Sequence, residues 1–272
     1  MKRALIALIL GVIALAAVLL FNTFRFRSKQ VQVEPVPAIA IDTNAIATRL
    51  SQAVRFQTVS SQDAKESHAD QFIAFQEFLK QSFPKVHATL AKEIVAEHSM
   101  LFTWKGRDET AAPILLMGHQ DVVPVEPGTE SNWTHPPFEG QIADGYVWGR
   151  GTLDDKATVM GLFEAMEQLL TDGFQPDRTI YFAFGHDEEI GGLKGATATA
   201  ALLRDRGVKP DFVLDEGGVI STGILPGLSS PVAFPTACLT FPLSASVLPS
   251  SSSLFMFASL QGGHGANARP IL

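Results

Sequence analysis

The chain reads as an α/β protein with a mostly parallel sheet flanked by helices. Two observations predict this class. From residue 42 onward, segments with helical apolar spacing alternate with short apolar strands. Polar, acid-rich clusters follow those strands, where ligands bind in such sheets. With 46% apolar residues in 272, a sizeable core is available.

The N-terminus comes first. Met1, Lys2 and Arg3 precede an unbroken apolar run from Ala4 to Phe21, followed by Arg25, Arg27 and Lys29. As a helix that run rises about 27 Å, close to the hydrocarbon thickness of a bilayer. The small residues Ala14, Ala16 and Ala17 lie inside the run, and the run ends Val18-Leu19-Leu20-Phe21. The reading is therefore a retained single-pass anchor with its flank over 1–29, with a cleaved signal peptide as the alternative. The rest of the chain is expected outside the cytoplasm, although basic residues on both sides leave orientation open. Residues 30–41 carry prolines and read as a linker.

Helices are expected over 44–56, 70–83, 156–170 and 193–206, and strands over 113–117, 178–184 and 211–214. In the helix from Lys156, the residues Val159, Leu162, Phe163, Met166 and Leu169 share one face. From Gly217 to Ala268 there is no Asp, Glu, Lys or Arg. A soluble domain carries roughly a quarter charged residues, so 229–272 reads as an aberrant or divergent segment.

The net charge of -7, without a basic stripe, excludes a nucleic-acid groove. A single cysteine, Cys238, excludes an intrachain disulfide and a thiolate cage, so any metal is held by His, Asp and Glu.

Four clusters carry the chemistry. His119 and Asp121 follow the strand at 113–117; two apart in extended chain, they face one side, so Asp121 can orient a metal-binding His119. Asp154 and Asp155 open the helix at Lys156 after the glycines Gly149 and Gly151. Glu188 and Glu189 follow the strand at 178–184, where one can bind metal and the other take a proton from water. Asp215 follows the strand at 211–214 and offers another oxygen. Each cluster alone fits a cap, a turn or a solvated loop. Four in succession supply nearly the donor set of a two-metal site.

These residues resemble the aminoacylase, carboxypeptidase S and N-acyl amino acid hydrolase family of zinc metallopeptidases. The resemblance runs from about 45 to 220, through MGHQDVVPV, NWTHPPFEGQIADGYVWGRGTLDDK, FGHDEEIGG and VLDEGG. It implies two Zn2+ ions per complete site, with Asp154 bridging, His119 and Asp215 on one ion and Glu189 on the other. Glu188 would be the general base and Asp121 would orient His119. His264 would be an oxyanion stabiliser. The implied substrate is a peptide or N-acyl amino acid, and full-length relatives are expected to form homodimers. The family's last histidine ligand lies far downstream in a segment that returns after a lid domain. The expectation is therefore an N-terminal part of the catalytic domain over 42–228, a truncated start of the lid over 229–272, and an incomplete second metal site. An inactive remnant that binds metal or peptide is the competing reading.

Overall fold

The computed structural model describes residues 2–25, 40–61, 68–216, 220–221 and 232–233. The expected linker lies almost wholly outside the described residues, as do His264 and nearly all of 229–272.

Helix α1, Lys2–Arg25, forms a unit by itself. Its leucines, isoleucines and valines are exposed, and it is long and apolar enough to cross a membrane, a test that a signal sequence also passes.

The second unit begins at Asp42, whose carboxylate accepts the Ala45 N–H at 3.0 Å and caps α2, Thr43–Val54. Helix α3, Ala69–Ser82, runs into α4, Pro84–Thr89, and Pro84 at the first turn starts the new helix. Then come β1 (Ala91–Val95), β2 (Ser99–Trp104), β3 (Ile114–His119), a hairpin of β4 (Gln141–Ala143) and β5 (Tyr146–Trp148), and α5 (Lys156–Thr171). Strand β6 (Ile180–Gly185), α6 (Ala196–Asp205) and β7 (Phe212–Leu214) complete the unit; residues 220–221 pair with 232–233.

The central sheet has the order β1-β2-β6-β3-β7. Strand β3 lies parallel to β6 and β7, whereas β1 and β2, and β2 and β6, are antiparallel. The expected α/β sheet flanked by helices is present, with parallel pairs around β3 and an antiparallel side formed by β1 and β2, which the hydrophobic pattern does not reveal. Strand β2 is buried almost throughout and β1 is largely exposed, so neither shows the alternation that marks a half-buried strand.

Side chains alternate between two cores. Met100, Phe102, Trp104, Phe182 and Phe184 pack with Phe75, Phe83 and Phe163 beneath α3, α4 and α5. Leu101 and Ala183 point the other way and pack with Leu203 of α6. The covered sheet leaves the carboxyl ends of β3, β6 and β7 to carry polar residues. Helix α6 starts three residues later than its apolar pattern suggests, because Lys194 and Gly195 are held in a loop by Asp187.

Candidate metal centre

Strand β3 delivers His119 at its last residue, nearly fully buried. The next residue fastens the strand ends: the Gln120 amide donates to the carbonyls of His98 and Phe184 at 2.9 and 3.0 Å. The fully buried carboxylate of Asp121 lies 3.2 Å from Nδ1 of His119. It also accepts the backbone N–H groups of Glu188 and Glu189 at 3.2 and 3.1 Å. One carboxylate therefore orients the imidazole and holds the loop after β6.

The loop before α5 supplies Asp154. Gly151 makes its turn possible: its φ is +83°, and a Cβ there would sit 2.5 Å from Val122. Asp154 is exposed, with Oδ1 2.9 Å from Nε2 of His119, and the peptide to Asp155 is cis. Asp155 turns inward and accepts the His119 N–H at 3.0 Å. Burial pushes its carboxyl up to about 7. Lys156 is fully buried, donates to the carbonyls of Ala53 and Phe56 at 3.0 and 2.5 Å, and sits 5.0 Å from the Phe75 ring centre. Its ammonium thus satisfies carbonyls at the end of α2 and ties that helix to the start of α5. Burial lowers its pKa to about 7.

The loop after β6 brings Glu188 and Glu189. Oε2 of Glu188 is 3.8 Å from Nε2 of His119. Burial, reinforced by neighbouring carboxylates, raises both glutamates to about 7. Beyond β7 the chain presents Glu216, with Oε2 3.7 Å from Nε2 of His119. Burial opposes protonation of His119, but its hydrogen bonds to Asp121, Asp154 and Glu216 outweigh it and raise the pKa well above the ordinary histidine value. The same histidine holds Asp121 below its ordinary value against the effect of burial.

The expected site residues His119, Asp121, Asp154, Glu188 and Glu189 are thus brought together. Among the described residues, His119, Asp154 and Glu216 have donor atoms within 4.8 Å of one another, as do His119, Glu188 and Glu189. Asp215 belongs to neither group and is exposed. The structure gathers its neighbour Glu216 in its place. The DEGG string offered two adjacent acids, and only the backbone direction at the end of β7 distinguishes them. Two donors on a tetrahedral zinc stand about 3.3 Å apart. The 2.9 and 3.7 Å separations from His119 to Asp154 and Glu216 straddle that value, so the donor set fits a divalent metal. A groove of about 630 Å³ between α2 and α3, lined by Gln52, Arg55, Phe56 and Phe78, carries no acid or histidine and lacks this chemistry.

Comparison with known proteins gives the same direction. Residues 115–248 match the family described as Peptidase family M20/M25/M40. The chain is 46% identical over 231 residues to "Probable carboxypeptidase S-like 2" of Dictyostelium discoideum, covering 81% of this chain and 44% of that one. It is 36% identical over 264 residues to "N-fatty-acyl-amino acid synthase/hydrolase PM20D1" of Xenopus tropicalis, covering 92% and 50%. The chain thus spans about half the length of these curated relatives. Among solved structures, an M20 family metallo-carboxypeptidase from Sulfolobus solfataricus superposes with a TM-score of 0.51 at 21% identity, covering 66% of this chain and 38% of that one. That likeness concerns the fold.

Proposed function

This chain carries a peptidase M20 domain, and from that premise we propose that it supplies the metal-binding half of a hydrolase of peptide or N-acyl amino acid amide bonds. The observation that carries the proposal is the convergence of His119, Asp154, Glu188, Glu189 and Glu216 at the carboxyl ends of β3, β6 and β7. His119, Asp154 and Glu216 would hold one zinc ion, and Glu189 would contribute to a second. Zinc bound there supplies Lewis acidity, polarising an amide carbonyl and acidifying water. Glu188 lies beside His119 with a carboxyl raised to about 7, suited to take a proton from water near neutral pH. It then returns that proton to the departing amine nitrogen. Asp121 keeps both partners in place, orienting the imidazole and pinning the Glu188 backbone.

Helix α1 would be a retained membrane anchor. Its 24 residues rise about 36 Å at the usual helical pitch, enough to span with some tilt. N-terminal sequencing of membrane-extracted protein tests this, since a start beyond residue 25 would identify a cleaved signal instead.

The test of the function is zinc content and hydrolysis of an N-acyl amino acid and a blocked dipeptide by the full chain, beside Glu188→Gln. Bound zinc, with any turnover of the parent abolished in the variant, is the expected result. A chain that binds no zinc, or a variant that keeps a measurable parental turnover, would overturn the proposal.

A further inference from the structure

The loop that carries Glu188 and Glu189 is closed by a second carboxylate outside the metal cluster. Asp187 is 5% exposed, yet among the described residues it faces no Lys or Arg ion-pair partner. Its Oδ1 accepts the Gly195 N–H at 2.7 Å, and its Oδ2 accepts the Lys194 N–H at 2.7 Å. Its own carbonyl accepts the N–H groups of Ile190 and Gly192 at 3.2 and 2.7 Å. Four backbone donors of one nine-residue loop thus end on one residue. The surroundings are shaped to this contact. A Cβ at Gly195 would lie 2.6 Å from Oδ1 of Asp187 and 3.1 Å from the Gly185 Cα, so a side chain at 195 would displace the carboxylate or the strand end.

Asp121 holds the front of the same loop through the N–H groups of Glu188 and Glu189. The loop is therefore fixed at two points, from β3 by Asp121 and from its own far end by Asp187. Between them lie the proton-transferring and the metal-binding glutamate. A buried ionised carboxylate is costly without donors, and charge-assisted bonds to backbone N–H groups are roughly twice as strong as neutral ones.

We propose that Asp187 is a positioning residue, whose carboxylate clamps the 187–195 loop so that Glu188 and Glu189 face His119. The clamp rests on the hydrolase reading for its purpose but not for its geometry. Asp187→Asn keeps one acceptor oxygen and replaces the other with an amide donor that opposes an N–H. Glu97→Gln serves as control, since it removes only the exposed 2.7 Å pair with the Lys194 ammonium.

Three readouts on the full chain decide the matter: zinc affinity, hydrogen exchange of the amides from Glu188 to Ile190 and at Gly195, and the melting temperature. We expect Asp187→Asn to weaken zinc binding about 10- to 100-fold, the usual cost of losing a residue that supports a metal ligand. Exchange at those amides should quicken, and Glu97→Gln should match the parent in both. Zinc affinity and exchange within twofold of the parent would overturn the clamp. So would a loss of zinc that merely follows a fall in melting temperature, with the control losing equally. Should the parent chain bind no zinc, the hydrolase reading fails, while the exchange pattern still decides whether Asp187 holds the loop.

Discussion

The choice between Asp215 and Glu216 is the sharpest prediction about the metal site. In the structure Glu216 reaches within 3.7 Å of Nε2 of His119, while Asp215, one residue earlier, belongs to neither donor group and accepts the Glu216 N–H at 2.9 Å. Glu216→Ala removes one of the three donors that His119, Asp154 and Glu216 would present to an ion. Losing a residue that only supports a ligand costs about 10- to 100-fold in metal affinity. Losing a donor itself should cost at least as much, about 100-fold or more, which is about 2.7 kcal/mol. Asp215→Ala removes a carboxylate that belongs to neither donor group, which should shift affinity by less than about tenfold. Competition for zinc against a chromophoric chelator at fixed pH and salt measures both. Equal losses in the two variants, or a larger loss from Asp215→Ala, would refute the assignment and restore the ligand that the motif suggested.

Other outcomes follow from neighbouring residues. Asp121→Ala should lower both zinc affinity and turnover, since it leaves the His119 ring only the backbone carbonyl of residue 121 and frees the Glu188 and Glu189 amides; a variant that loses one without the other would separate the two roles. Arg49 and Glu164 join α2 to α5 through paired bonds of 2.5 and 2.7 Å, half-shielded from water. A double-mutant cycle of Arg49→Met and Glu164→Gln, read by urea unfolding, should give a coupling of about 1 kcal/mol, above most exposed pairs; a value near zero would mean that solvent screens the pair fully. Burial holds His87 below the ordinary histidine value, and its Nε2 is buried without a partner among the described residues. The unfolded chain therefore binds that proton more readily, so stability from His87 is complete above pH about 6.5 and is lost as pH falls below it. Melting temperature should drop between pH 7.5 and 5, less so in His87→Leu; an unchanged slope would assign the acid sensitivity to other groups.

Much of this was legible in the sequence because the informative residues are consecutive. His119 and Asp121 sit two apart after an apolar strand, and Glu188 and Glu189 follow another, so pattern and spacing suffice to bring them near one another. What the sequence hid was of two kinds. The β1–β2 hairpin lacks alternation, since one strand is buried almost throughout and the other exposed, so the antiparallel side of an otherwise expected α/β sheet left no pattern. The second kind is direction. Adjacent acids at 154–155 and 215–216 look alike in sequence, and only the backbone decides which of each pair reaches the cluster, whereas Glu188 and Glu189 both do.

The way the backbone makes that decision explains the density of buried polar groups around the site. Asp155 takes the His119 N–H, Asp121 takes the amides of Glu188 and Glu189, and Lys156 takes the carbonyls at the end of α2. None of these three groups reaches solvent, and burying each is unfavourable unless its partners are in place. A shift of any loop by one residue would leave a buried charge unpaired. The same groups that cost stability when mispaired therefore select the one arrangement in which Asp154, Glu188 and Glu216 face His119. On this argument, replacing Asp155 with Leu should be poorly tolerated, because the His119 N–H is left without an acceptor in the interior.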